Sequence, residues 1–200
     1  MRILVATMND GKLREYERLL ADVPGLELET MASLPEPVDV AEDRDTFAGN
    51  ALKKATEIAA ASGMACLADD SGLEVDALGG RPGVQSARYS GEFATDAQNN
   101  AKLLEELVGT TEQERTARFQ CAIALVDADG RKLAVAEGAC EGRIGPEPKG
   151  AHGFGYDPLF IPEGHRETMA ELGPEIKNEI SHRAKAAAKL VPLLRQLRNR

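Results

Sequence analysis

An apolar run followed at once by a polar turn opens the chain: Ile3-Leu4-Val5-Ala6-Thr7-Met8-Asn9-Asp10-Gly11-Lys12. The apolar part is too short for the core of a signal peptide and is typical of a buried strand. Apolar residues then recur at helical spacing, at Leu13, Tyr16, Leu19 and Leu20. This stretch therefore predicts a strand, a tight turn and an amphipathic helix.

The same order of elements continues after this unit. Leu26–Met31 is a second candidate strand, and Thr46 is a plausible N-cap for a helix that ends at Gly63. Met64–Ala68 is a third short apolar run. Two long strand-like segments, Ala117–Val126 and 132–144, are joined by a turn that contains Asp-Gly, which favours a hairpin. The pattern predicts an α/β protein with a mixed sheet.

Three other segments complete the expected organisation. Residues 72–91 contain five glycines and a proline, which predicts a functional loop, whereas Thr95–Leu107 is predicted to be helical. Residues 175–200 are predicted to form one helix, on which Lys177 and Arg183 share a face because six positions are close to two turns. We expect residues 1–200 to form a single domain.

Composition limits the possible classes of protein. The chain has 200 residues, a net charge of −9 and 42% hydrophobic residues, and it has no run long enough for a membrane span. The acidic balance argues against a nucleic-acid coat, and neither nucleic acid nor a membrane is an expected partner. The three distant cysteines, Cys66, Cys121 and Cys140, predict buried thiols and a cytoplasmic location.

The first candidate site is the turn at Thr7–Lys12. A strand leads there into a helix, and a helix N-terminus beside a lysine can bind an anion. The spacing is not that of a Walker A loop, and an ordinary turn with a solvated lysine is the alternative.

The second candidate site is Asp69-Asp70-Ser71-Gly72, at the expected end of a strand. Adjacent carboxylates there point to opposite sides, and one of them is suited to Mg²⁺ or to accepting a proton from water. The alternative is a turn that ends the strand. Glu42 is a possible second metal ligand, or else part of a solvated acidic loop. Lys53 is a candidate phosphate contact, whereas Lys54 is expected to be an exposed lysine.

Two further segments offer groups suited to a base. Phe154-Gly155-Tyr156-Asp157 provides an aromatic face and a carboxylate, although loop aromatics also serve merely as anchors. His182 and Arg183, which lie on the last predicted helix with Lys177, are donors suited to a carbonyl oxygen. The alternative is a helix with solvated basic residues.

Seven segments in this order resemble the inosine/xanthosine triphosphate pyrophosphatase family (dITP/XTP pyrophosphatases) over essentially the whole chain. They are Thr-x-Asn-x-x-Lys at 7–12, Thr-Phe-x-x-Asn-Ala-x-x-Lys-Ala at 46–55, Ala-Asp-Asp-Ser-Gly-Leu at 68–73, Ala-Leu-Gly-Gly-Arg-Pro-Gly at 77–83, Ser-Ala-Arg-Tyr-Ser-Gly at 86–91, Gly-Phe-Gly-Tyr-Asp-Pro at 153–158 and Ser-His-Arg at 181–183.

The resemblance implies Mg²⁺-dependent hydrolysis of ITP, dITP and XTP to the monophosphate and pyrophosphate. It also implies a homodimer and an elongated mixed sheet flanked by helices, with an active-site cleft between two lobes. Asp70 would be the general base and a metal ligand, and Glu42 would assist the metal. The substrate would contact Thr7, Met8, Asn9, Asp10, Gly11, Lys12, Lys53, Ser71, Phe154, Gly155, Tyr156, Asp157, Lys177, His182 and Arg183.

Two positions depart from the family pattern. Met8 stands where members usually have glycine, and the usual Glu-Glu-Thr-Gly loop reads Ala-Glu-Asp-Arg at 41–44.

Two other functions stay open. One is a related pyrophosphatase for modified pyrimidine or other nucleotides, and the other is a catalytically silent nucleotide sensor or RNA-binding protein that uses the basic C-terminal helix.

Overall fold

Six strands form one mixed sheet in the order β2-β1-β3-β4-β5-β6 in the computed structural model, which describes residues 1–34, 36 and 38–198. The strands are β1 (Arg2–Val5), β2 (Glu27–Thr30), β3 (Cys66–Val75), β4 (Thr116–Val126), β5 (Lys132–Ile144) and β6 (Phe160–Pro162). The α-helices are α1 (Asp10–Leu19), α2 (Phe47–Ser62), α3 (Asp96–Glu106), α4 (Met169–Ile180) and α5 (His182–Arg198).

The pairing of the strands confirms the predicted α/β class with a mixed sheet. β1 is parallel to both neighbours, with Leu4 opposite Glu29 on β2 and opposite Cys66 on β3. β5 and β6 are antiparallel, with Arg143 opposite Ile161. Parallel neighbours require helical connections, which α1 and α2 provide between the first three strands.

The chain divides into two compact units, which we call unit 1 (residues 1–70, 121–138 and 183–200) and unit 2 (residues 71–120 and 139–182). Unit 1 buries Ile3, Tyr16, Leu67, Ile123 and Leu190, and unit 2 buries Leu73, Leu103, Phe119, Phe160 and Met169. All three cysteines are buried thiols, as predicted. The single domain and the active-site cleft stay predictions.

Side-chain caps fix the helices of unit 1. The side chain of Asn9 accepts a hydrogen bond from the backbone N–H of Lys12 at the start of α1, and Thr46 does the same for Gly49 at the start of α2. α2 ends at Gly63, whose φ of 65° lies in the left-handed region that favours glycine. Both ends of this helix match the sequence prediction.

Two sequence predictions about local structure are wrong. β3 does not end at the carboxylate pair but continues to Val75, so Asp69 and Asp70 lie inside a ten-residue strand. The C-terminal region is not one helix, because α4 is kinked at Gly173 and the extended backbone of Ser181 separates it from α5. Lys177 and Arg183 therefore do not share a helix face.

Candidate active site

Two adjacent carboxylates occupy the middle of β3 and are both buried. The side chains of successive strand residues point to opposite faces, so Asp69 and Asp70 meet different neighbours. Asp69 is 1% exposed and Asp70 is 6% exposed. Buried carboxylates need partners, and the partners of each define what it is able to do.

Asp69 lies among positive charges. Its Oδ2 is 3.1 Å from Lys12 Nζ and accepts hydrogen bonds from Arg183 Nη2 at 2.9 Å and Nε at 3.2 Å. Burial alone would raise the pKa of Asp69, but the charges of Lys12, Arg183 and Lys54 outweigh it and hold that pKa well below its usual range. Asp69 therefore stays ionised. Glu15 also belongs to this cluster, because it accepts a hydrogen bond from Arg183 Nη1.

Asp70 has the opposite environment. Its Oδ2 accepts a hydrogen bond from Asn50 Nδ2 at 2.9 Å. Burial, together with the negative charge of Glu42, raises the pKa of Asp70 to about 6, although Asn50 and the charges of Lys12 and Lys54 act against the shift. A carboxylate with a pKa near 6 is an effective proton acceptor at neutral pH. The environment thus separates a fixed charge, Asp69, from a candidate general base, Asp70.

Two lysines of α2 hold the acidic loop 41–44. Lys53 Nζ donates to the carbonyl of Ala41 and to Asp43 Oδ1, both at 2.9 Å. Lys54 Nζ contacts Glu42 Oε1 at 2.5 Å. Burial alone would lower the pKa of Lys54, but Asp69 and Glu42 raise it. The expectation that Lys54 is an exposed lysine is wrong, because its side chain is 14% exposed.

Glu42 and Asp70 are suitable ligands for a divalent cation. The negative charge of Glu42 raises the pKa of Asp70, and a cation held by both would relieve that repulsion. Within residues 1–34, 36 and 38–198, no group of three or more His, Cys, Asp or Glu side chains converges. A site with only the carboxylates of Glu42 and Asp70 fits Mg²⁺, which usually takes one or two protein carboxylates and fills its shell with water and substrate phosphate.

The turn before α1 has the expected helix start. Thr7 Oγ1 accepts from the backbone N–H of Asn9 at 3.1 Å, and α1 begins at Asp10 with Gly11 and Lys12 in its first turn. Met8 is 79% exposed. Every positive φ in the described part of the chain belongs to a glycine, so Met8 has a backbone conformation that any residue adopts. The departure from glycine at this position does not distort the turn.

A second group of predicted residues lies in unit 2, in the loop 153–157. Asp157 Oδ2 accepts from the backbone N–H of Phe154 at 2.9 Å and from Lys177 Nζ at 2.5 Å. Lys177 Nζ also lies 4.4 Å from the centroid of the Phe154 ring. A Cβ on Gly153 would overlap the carboxylate of Asp157, and the φ of Gly153 is 81°, so this tight turn requires glycine.

His182 also belongs to unit 2, whereas Arg183 begins the last segment of unit 1. The His182 ring is stacked on Phe119, with centroids 4.8 Å apart and an interplanar angle of 16°. The ring of Phe119 also packs against the ring of Phe160, with the two centroids 4.6 Å apart. Ser71, the remaining predicted contact, follows Asp70 on β3 and is half-buried.

The model of the Ham1 family matches residues 3–193. The chain belongs to the Ham1 family.

Curated relatives and solved structures of Ham1 proteins are similar over nearly the whole chain. A dITP/XTP pyrophosphatase of Geobacillus kaustophilus is 53% identical over 94% of this chain and 91% of its own. One from Desulforamulus reducens is 50% identical over 98% of this chain and 97% of its own. The structure of a HAM1 protein from Coxiella burnetii has a TM-score of 0.86 at 41% identity and covers 98% of this chain and 99% of its own.

The candidate site contains residues that the sequence analysis did not single out. Asn50 contacts Asp70, Lys54 contacts Glu42, and Glu15 contacts Arg183. All three lie on helices, and their positions in the helical repeat do not by themselves indicate a role. Asn50 could have been noticed in the sequence, because it is a polar residue in the otherwise apolar row of α2. In the structure it is 1% exposed.

None of the helices in the described part of the chain is long and apolar enough to span a membrane.

Proposed function

We propose that this chain hydrolyses dITP, XTP and ITP to the nucleoside monophosphate and pyrophosphate in a Mg²⁺-dependent reaction. As a Ham1 protein whose relatives are dITP/XTP pyrophosphatases, it is a hydrolase of nucleoside triphosphates. The proposed reaction rests mainly on the contrast between two adjacent residues of β3: the pKa of Asp69 is lowered, so Asp69 stays ionised, whereas the pKa of Asp70 is raised to about 6. A homodimer in the cytoplasm, acting without nucleic acid or a membrane, is part of the same proposal.

Asp70 is the general base of the proposed reaction. It accepts a proton from a water molecule whose oxygen forms a bond to the α-phosphorus. The bond between the α-phosphorus and the oxygen bridging to the β-phosphate then breaks, and pyrophosphate leaves with the bonding electron pair. Asn50, which donates to Asp70 Oδ2 at 2.9 Å, orients the carboxylate for this transfer.

Positive groups of unit 1 bind the phosphates. The N-terminus of α1 and Lys12 supply donors for oxyanions, and Lys53 adds charge from α2. Glu42 and Asp70 would hold Mg²⁺, which supplies stabilisation of the negative charge that develops on the leaving pyrophosphate. Lys12 is held in place by the ionised carboxylate of Asp69, which lies 3.1 Å from its Nζ.

Residues of unit 2 select the base. The half-buried Phe154 ring offers a stacking surface, and His182 supplies a donor for the O6 carbonyl of hypoxanthine or xanthine. Adenine has a 6-amino group in that place. The His182 N–H and the amino group would then face each other with no acceptor for either, at a cost of about 1–3 kcal/mol. Asp157 and Lys177 hold the loop through the backbone and ring of Phe154.

A pyrophosphate-release assay tests the proposal. The purified chain is incubated with dITP, XTP, ITP, ATP, GTP and dUTP, in Mg²⁺ and separately in EDTA, with Asp70→Asn as the matched control. We expect pyrophosphate from the first three nucleotides in Mg²⁺ alone, and none from the variant. Preferred turnover of dUTP would indicate the related pyrophosphatase, and nucleotide binding without any turnover would indicate a sensor.

A further inference from the structure

Helix α3 holds one residue of the base loop by both of its backbone groups. The backbone N–H of Gly155 donates to Asp96 Oδ2 at 2.6 Å, and the carbonyl of Gly155 accepts from Asn100 Nδ2 at 2.9 Å. Asp96 and Asn100 are four positions apart on α3, so both side chains lie on one helix face. We call this pair of contacts the Gly155 clamp.

The clamped residue has an unusual backbone conformation. Gly155 has a φ of 61°, in the left-handed region that only glycine adopts without strain. A glycine with no side chain to pack has many accessible conformations, so fixing it requires backbone contacts. Asn100 is 7% exposed, and a hydrogen bond at such a position meets little competition from water.

The clamp lies directly beside the stacking residue. Phe154 precedes Gly155, and its own N–H is fixed by Asp157 Oδ2. On the other side, Tyr156 Oη donates to the carbonyl of Ser86 at 2.9 Å. The Asp157 and Tyr156 contacts hold the residues on either side of Gly155, whereas Asp96 and Asn100 hold Gly155 itself. The direction of the Phe154 ring therefore depends on the peptide that α3 holds.

We propose that Asp96 and Asn100 are positioning residues that set the affinity of this enzyme for its purine base by fixing the peptide next to Phe154. The inference rests on the proposed function, in which Phe154 stacks on the base. Neither side chain contacts the reacting phosphates in this scheme, so loss of the clamp raises KM and leaves kcat unchanged.

The neighbouring asparagine provides a matched control. Asn99 is 3% exposed on the same helix, but its side chain accepts from the backbone N–H of Ser90 and donates to the carbonyl of Ala87. Asn100→Leu and Asn99→Leu keep the volume and remove the amide in each case. We expect KM for dITP to rise about three- to tenfold in Asn100→Leu, as for one lost hydrogen bond, and to stay within twofold in Asn99→Leu.

Two further measurements separate positioning from a general loss of structure. The inhibition constant of inorganic tripolyphosphate, which lacks a base, should be the same in both variants and in the unmodified enzyme. Asp96→Asn keeps an acceptor oxygen for the Gly155 N–H, so its KM should lie nearer the unmodified value than that of Asp96→Ala. Equal changes of KM in the Asn99 and Asn100 variants would overturn the proposal.

A spectroscopic readout tests the clamp without any turnover. The chain has no tryptophan, so Phe154→Trp introduces a single reporter at the loop. Adding Asn100→Leu to this variant should lower the fluorescence anisotropy of the indole, and adding Asn99→Leu should not. No difference between the two would contradict the clamp itself. Absence of dITP hydrolysis by the unmodified enzyme would contradict the proposed function instead, and the anisotropy would still decide whether the clamp exists.

Discussion

Asp69 and Asp70 are neighbours on β3, but Asp69 bonds to Arg183 and Lys12 whereas Asp70 accepts from the neutral amide of Asn50. The alternation of side chains along a strand is enough to place them in these different environments. One carboxylate is therefore a permanent charge that organises cations, and the other is able to take up a proton near neutral pH.

Replacing Asp70 by asparagine should abolish turnover and, without metal, stabilise the protein. The pKa of folded Asp70 is raised to about 6, so ionisation favours the unfolded chain. This penalty is absent below about pH 4, grows between about pH 4 and 6, and is constant above, where it reaches roughly 2–3 kcal/mol. Thermal unfolding of both proteins in EDTA across this pH range measures the difference.

The Asn50 contact makes this test specific. Asparagine at position 70 keeps an oxygen that accepts from Asn50 Nδ2, so the change removes the charge and little else. Added Mg²⁺ should raise the Tm of the unmodified protein more than that of the variant. Equal stability of the two proteins at pH 7 in EDTA would contradict the raised pKa, and retention of most of kcat would contradict the role of Asp70 as the base.

Replacing Asp69 by asparagine should have the opposite effect on stability. It removes the carboxylate that accepts from the buried guanidinium of Arg183 and lies 3.1 Å from the ammonium of Lys12, so that Glu15 alone of these two carboxylates still faces Arg183. We expect a loss of about 3–5 kcal/mol at pH 7, measured by urea unfolding. The low pKa of Asp69 means that its contribution is lost only in strong acid, as the pH falls below the usual carboxyl range. A variant as stable as the unmodified protein would show that the cluster is not a net stabilising contact.

The sequence was sufficient to predict the order of the helices and strands from β1 to β5 and most of their bounds, but not β6 or the division between α4 and α5. The hairpin of β4 and β5 and the capped helix α2 follow local rules of periodicity, turns and caps, and those rules do not depend on distant residues. The order of the motifs was also sufficient to predict the family.

Distant partners account for what could not be predicted. Asp69-Asp70-Ser71-Gly72 has the composition of a turn, but pairing in the sheet extends β3 through it to Val75. Arg183 resembles a solvated helix cation, yet it is 1% exposed because Asp69 and Glu15, more than a hundred positions away in sequence, accept its hydrogen bonds. Neither spacing nor propensity contains such information.

His182 and Arg183 are adjacent, but their replacement by alanine should have different consequences. His182→Ala removes the donor proposed for O6, so the ratio of kcat/KM for dITP over dATP should fall by about tenfold. Arg183→Ala should mainly lower the free energy of unfolding, since it leaves Asp69 and Glu15 as buried carboxylates without their shared cation. An unchanged ratio in His182→Ala would place base selection elsewhere, and a fully stable Arg183→Ala would contradict the buried ion pairs.

The substitution Met8→Gly tests whether the departure from the family pattern has a functional cost. Met8 is 79% exposed and its backbone needs no positive φ, so glycine offers the turn no conformation that it requires. Glycine instead increases the conformational freedom of the unfolded chain, and we expect a loss of stability of about 0.4–1 kcal/mol with kcat/KM for dITP unchanged within twofold. Lys12→Gln, in the same turn, provides the contrast and should raise KM, because it removes the cation held by Asp69. A marked gain in kcat/KM for Met8→Gly would show that the methionine side chain obstructs the phosphate site.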